Sequence, residues 1–244
     1  MTFALSRFAA SLESPAPWLL PHLQVAREVV RAAHSPSVAA ALNAARITDD
    51  TPRFVDQSAL PDGEAYEAFI SRTGSVPTRD NLHDLLNGLI WLSHPASKRR
   101  LNVLHAEQIA LHGTTGERGP MRDALTLFDE NAAVLQAPAV LIEALRCRDW
   151  SALFIEHREA WASARLVLFG HALLEKLMEP RKPITAHAWL VEEADDAALA
   201  SSLQPQRLAA KDFLPLPVLG VPGWWAANEE PGFYTDVQVF RPRR

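Results

Sequence analysis

Cysteine is almost missing from this chain: Cys147 is the only one among 244 residues. One thiol cannot close an internal disulfide, and no CxxC spacing offers a structural zinc site, so a reducing compartment fits best. Cys147 sits in the helical pattern ALRCRDW with no histidine beside it, which predicts a small packing residue and not a nucleophile. Long apolar runs are also lacking, and none approaches the roughly 20 residues that a bilayer-spanning helix needs. The N-terminal MTFALSRFAASLESPAPWLL is broken by Arg7 and Glu13, unlike a secretory leader. The expectation is a cytoplasmic protein with no membrane segment. Positive charge is not in excess either, since the formal net charge is −5. Nucleic acid is therefore not expected as a partner, and Lys98-Arg99-Arg100 and Arg241-Pro242-Arg243-Arg244 read as solvated ends. Glycine is scarce, with 10 copies against 18 of proline, and no phosphate loop, dinucleotide fingerprint, GxSxG elbow or HExxH pair is present.

What is present is ordinary globular composition, 48% hydrophobic and 22% charged, in a chain long enough for a sizeable core. The simplest organisation is one compact domain over 1–244, helical to about 112 and mixed α/β from about 113. Apolar spacing predicts helices over 18–33 and 35–46, an extended piece at Arg53–Val55, and a helix from Asp62 stopped at Gly74. Leu82, Leu85, Leu86, Leu89 and Leu92 then form one stripe, with Thr78 as its N-cap and Pro95 as its end. Ser97 caps the next helix, in which Leu101, Leu104 and Leu111 face inward. Gly113–Gly119 is a loop. Two readings compete for the next segment: a helix over Met121–Phe128, or a hairpin near 124–136 turning at Asp129-Glu130-Asn131. The turn chemistry favours the hairpin. Strands come next near 165–169 and 184–191, then a helix within 192–204, and Trp224, Trp225, Phe233, Tyr234 and Phe240 anchor the end. The fold class is α+β, predominantly helical with a small β-sheet.

Chemistry concentrates in Val76–His112, which carries four of the nine histidines. His83 and Asn87 stand four apart and address one point, and Lys98, Asn102 and His105 form a strip on the following helix. Lys98 and Arg99 open a helix, where the dipole disfavours cations; such charges either serve a carboxylate or anionic partner or are simply exposed. A second group comes from the strand–glycine–helix junction at Gly170, which presents His171 with Glu175 on the same face. Three imidazoles with a carboxylate suit a divalent transition metal, zinc before others. The metal ligands are thus read as His83, His105 and His171, and the catalytic carboxylates as Asp84, Asp129 and Glu175. Asn87, Lys98, Asn102 and Arg122 are read as ligand contacts. This describes a metal-dependent hydrolase of a small molecule. The same residues also fit a metal-free site for an anionic ligand, or a non-catalytic interaction protein whose polar network is structural. Asp129 and Glu130 explain themselves as the hairpin tip.

The succession VPTRDNLHDLLN, WL..P..K..LN..H, RGPMRDALTLFDEN, FGHALLEKL and LPVLGVPGWW..NE...FY.D..VFRPR resembles one known family. It is the bacterial family catalogued as domain of unknown function three-thousand-twenty-five, and the resemblance covers roughly Tyr66 to Arg244. It implies a bacterial, cytosolic setting. It brings no reaction and no catalytic residues.

Overall fold

A computed structural model describes residues 2–32, 34–48, 50–113 and 119–243. The chain begins with α1 (Phe3–Ser11), started by Thr2, whose hydroxyl accepts from the Leu5 N–H. A 3-10 turn at Pro17–His22 leads into α2 (Leu23–Arg31), and Ser37 caps α3 (Val38–Ala44). Strand β1 (Arg53–Asp56) lies parallel to β2 (Ser75–Thr78), so the chain must cross over between them. α4 (Tyr66–Thr73) is that crossover, and it ends on Gly74 at φ +65°, where a side chain would be strained. Thr78 is accordingly the last residue of β2 and not a cap. Asn81 caps α5 (Leu82–Ser93) by accepting from the Asp84 N–H at 2.7 Å. α5 is buried on nearly every side, from Leu85 through Leu92, and carries Asp84 and Asn87 inside with it.

α6 (Pro95–His112) starts at Pro95, so Ser97 lies within the first turn and is not its cap. The cap comes from far along the chain: Asp196 accepts from Ala96 N–H at 2.7 Å and Ser97 N–H at 3.0 Å. Leu101 and Leu104 are buried as expected, but Leu111 is 72% exposed, because the last turn of α6 extends past the core it would face. Of the expected loop at Gly113–Gly119, residues 114–118 lie outside the described residues.

The largest difference from the sequence expectation is at 120–136. The hairpin is absent, and α7 (Pro120–Asn131) runs directly into β3 (Ala132–Gln136). Pro120 at the first helical position and Asp123 in the first turn favour helix, and Ala124, Leu125 and Phe128 bury one face. Asp129-Glu130-Asn131 is the last helical turn. β3 finds its partners far away in sequence. After α8 (Ala139–Cys147), β4 (Arg165–Leu168) pairs antiparallel with it. After α9 (His171–Lys176), β5 (Thr185–Leu190) pairs parallel on its other side. α10 (Asp196–Ser202), α11 (Pro205–Ala209) and β6 (Leu214–Pro217) come last, completing the order β4-β3-β5-β6. The fold is α+β and predominantly helical.

Leu141, Ala144 and Leu145 form the buried face of α8, which leaves Cys147 exposed on the other side and not packed. Its hydrogen bond to Glu143 pushes the thiol pKa up, away from nucleophilic reactivity. Near the end of the chain, Phe233, Tyr234 and Phe240 are buried and Trp224 and Trp225 half-buried, all in one hydrophobic cluster that also contains Leu5 and Phe8. Among the described residues no helix is long and apolar enough to cross a membrane.

The interior also holds two histidines that no ligand reading uses. His22 is 1% exposed, and its Nε2–H donates to the Leu168 carbonyl at 2.9 Å, while its Nδ1 has no hydrogen-bond partner among the described residues. His94 lies edge-on to it at 5.4 Å; among the described residues neither of its ring nitrogens is hydrogen-bonded, and Asp196 Oδ1 stands 3.9 Å from Nδ1. Burial above all, then mutual repulsion, lowers His22 from 6.5 to about 3, and burial followed by Arg165 lowers His94 to about 4. The native state then binds fewer protons than the unfolded chain below pH 6.5, so stability is complete above that value and falls as acid is added. The loss is up to about 1.4 kcal/mol per pH unit for each histidine. Urea denaturation should give a clearly lower midpoint at pH 5 than at pH 7, and equal midpoints would contradict the neutral burial of these rings.

Candidate metal centre and pocket

The site begins with a glycine that must have no side chain. The N–H groups of Phe169 and Gly170 both donate to the Ala132 carbonyl, at 3.0 and 2.9 Å, which draws the end of β4 against the α7–β3 junction. A Cβ on Gly170 would stand 2.4 Å from the Glu130 carbonyl oxygen and 2.5 Å from the Asn131 nitrogen. Only glycine lets the two backbones approach this closely. As a result His171, the first residue of α9, sits beside the last turn of α7, and α5 brings His83 to the same place.

Both imidazoles are oriented through Nδ1. His171 Nδ1–H donates to the Asp129 backbone carbonyl at 2.9 Å, one of the α7 C-terminal carbonyls that lacks an intrahelical partner. His83 Nδ1–H donates to Glu175 Oε2 at 2.8 Å. These acceptors place the proton of each ring on Nδ1, so each neutral ring presents a lone pair at Nε2. The two Nε2 atoms face one another at 3.1 Å. A carboxylate oxygen of Glu130 lies within 4.8 Å of a ligand atom on each ring. Burial, with help from Lys98 and His83 and against the pull of Asp129, lowers His171 to about 4, so it is neutral at neutral pH.

Lys98 supports this group from behind. It is 4% exposed, and its ammonium donates to Asp129 Oδ1 at 2.5 Å and Asn87 Oδ1 at 2.8 Å while standing 5.2 Å over the Trp91 ring. The cation misplaced for the helix dipole therefore has a buried carboxylate partner. Burial pushes the Asp129 carboxyl up, but Lys98 and then His171 outweigh it and hold the group below its usual range. Two further asparagine links lead to α4: Asn87 Nδ2–H donates to the Tyr66 hydroxyl at 3.1 Å, and Asn102 Nδ2–H to Glu67. Arg79 grips Asp84 with two guanidinium bonds of 3.1 and 2.9 Å.

Tyr66, Glu67, Arg79, Asp84, Asn87, Asp129 and Glu130 line, with the two imidazoles, a pocket of about 560 Å³, and Lys98 and Asn102 stand behind its wall. Of the expected metal ligands, His83 and His171 meet, and Glu130 completes the group among the described residues in place of His105. His105 lines the same pocket but lies two helical turns beyond Lys98, about 10 Å further along α6. Of the expected carboxylates, Asp84 is held by Arg79, Asp129 by Lys98, and Glu175 by His83 from outside the pocket lining. Asn87, Lys98 and Asn102 bond to protein groups, while Arg122 lines the pocket and donates to the Gly113 carbonyl at 3.3 Å. Glu130, read from the sequence as a hairpin-tip residue, belongs to the group, and Tyr66 and Glu67 carry no sequence signal for the site. A helical reading of 120–131 would have removed Glu130 from a hairpin tip, whereas nothing in the local pattern marks Tyr66 or Glu67.

The family model described as "Protein of unknown function (DUF3025)" matches residues 52–244. No curated protein and no solved structure matches the chain.

Two substitutions probe the supports. Lys98→Met takes the ammonium away from a largely enclosed Asp129, which should cost up to about 3–5 kcal/mol, and adding Asp129→Asn should recover part of that loss. Urea melts of the single and double variants measure this, and a double variant weaker than the sum of the singles would refute the pairing. Gly170→Ala should lower stability by at least about 1–3 kcal/mol, because the clash is with backbone that cannot rotate away. A thermal midpoint equal to that of the unaltered protein would show that the junction yields.

Proposed function

We propose that this chain, which belongs to the DUF3025 family, binds a divalent transition metal through His83, His171 and Glu130 and uses it to hydrolyse a small molecule in the adjoining pocket. One observation carries the reading: two Nε2 atoms face each other at 3.1 Å while both Nδ1 positions are already committed to acceptors. When both rings are neutral no proton lies between these nitrogens, so the pair is repulsive, and a cation at that point turns repulsion into coordination. Ligands of a tetrahedral zinc ion stand about 3.3 Å apart, close to the separation found. The bond from His83 to Glu175 and the one from His171 to the Asp129 carbonyl are the outer-shell contacts that orient metal-binding imidazoles.

Two histidines and one carboxylate leave a coordination position for water, and zinc is the first choice for such a donor set. A bound metal lowers the pKa of that water to about 7 and so supplies hydroxide at neutral pH. The protein supplies the remainder: Glu175 and Asp129 fix the rings, and the Tyr66 hydroxyl on the pocket wall can donate to an oxygen that gains charge.

Metal analysis of protein freed of any tag should find about one equivalent of zinc, manganese, iron or nickel. His171→Ala should lose it, and Glu175→Gln should weaken binding roughly 10–100-fold. The absence of stoichiometric metal would end this reading. A metal-free site for an anionic ligand draws support from Arg79 and Arg122 on the pocket wall. It requires that phosphate or a carboxylate raise the melting temperature of chelator-treated protein, and that Arg122→Ala abolish the rise.

A further inference from the structure

Most carboxyl groups in the pocket wall or just behind it already have a partner. Asp84 has Arg79, Asp129 has Lys98, Glu175 has His83, and Glu130 stands with the two imidazoles. Glu67 differs. It lines the pocket, and no salt bridge to it occurs among the described residues. Yet it is held in place. The Asn102 Nδ2 group donates to the Glu67 backbone carbonyl at 2.9 Å and to Oε2 at 2.6 Å, gripping main chain and carboxyl together. Its second oxygen, Oε1, accepts no hydrogen bond among the described residues. Glu67 is half-buried, so Asn102 fixes one carboxyl oxygen while the other stays open to the pocket the side chain lines. The groups facing it are Asp129 from α7, Lys98 from α6, whose ammonium is engaged with Asp129 and Asn87, and Tyr66 beside it on α4.

We infer that Glu67 is the proton-transfer group of this site and that Asn102 is its positioning residue. This rests on the metal-hydrolase reading above. In the reaction, an O–H bond of the metal-held water breaks and its proton passes to Glu67 Oε1, directly or through one water. The oxygen left behind bonds to the electrophilic atom of the substrate, and the bond to the leaving group breaks with its electron pair. Glu67 returns the proton to that leaving group, so one water is consumed and the carboxylate is restored. Burial, then the charge of Asp129, raises the pKa of Glu67 against the opposing Lys98 and Asn102, toward the range in which a carboxyl can both take and return a proton.

The full chain, stripped with chelator and reloaded with one equivalent of cobalt(II), provides the test, since visible absorption reports ionisation of a metal-held water. A spectral transition near neutral pH is expected. Glu67→Gln removes a negative charge from the pocket that holds the developing hydroxide and should move the midpoint down by roughly half a pH unit or more. Glu67→Asp, with its charge withdrawn by one methylene, should move it in the same direction by less, and decides the matter if the glutamine variant does not fold. Glu64→Gln, which breaks only a pair with Arg72, should leave it in place. A Glu67→Gln midpoint that is unchanged or higher overturns the role of Glu67 while the cobalt site stands. Failure of the unaltered protein to take up cobalt overturns the metal reading, and the inference with it.

Discussion

One buried ammonium holds four helices at a common point. Lys98 from α6 meets Asp129 of α7 and Asn87 of α5, and Asp129 in turn holds His171 of α9 through its backbone carbonyl. Removing an ammonium from water costs several kcal/mol, and only a full set of partners makes such a position tolerable. Lys98 also works against the dipole of its own helix, a penalty of a few tenths of a kcal/mol that its partners easily outweigh. Because Asp129 must reach Lys98, the last turn of α7 is held in place, and Glu130 is carried to the imidazoles with it.

The same economy governs the backbone. The close approach at Gly170 brings the start of α9 to the end of α7, so that one free carbonyl of α7 can accept from His171. The geometry that relieves an unsatisfied helix end thus also sets a ring tautomer. His83 receives the equivalent treatment from Glu175, one turn along α9 from His171. With both rings fixed from behind, their remaining nitrogens have only each other and the pocket to face. That convergence distinguishes the pair from His22 and His94, which lie edge-on to one another and are not among the residues lining this pocket.

Local signals were read well where local energetics decide the outcome. The apolar stripe of α5, the stop at Gly74, the strand at Arg165–Leu168 and the glycine junction before His171 all arise from side-chain spacing or backbone freedom within a few residues. The hairpin expectation failed because Asp129-Glu130-Asn131 suits a turn as well as a helix end. What chooses between them is β3, whose partners lie some thirty and fifty residues downstream. Ser97 failed as a cap for a similar reason, since the N–H groups it would serve are taken by Asp196, about 100 residues away.

By itself the sequence determined the helical character of the chain, the families of chemistry it lacks, and the residue types that gather at the site. His83, His171 and Lys98 were recognisable because imidazoles, and charges placed against a dipole, are costly to bury without purpose, whereas Asp129 stood as one of several carboxylates that also suit a turn. Tertiary structure alone decided that Glu130 and not His105 joins the two rings, and that Glu67 lines the pocket they share. Those outcomes depend on distances between helices, and those distances are set by one buried ion pair and one missing Cβ. Neither leaves a periodic trace in the sequence around the residues it positions.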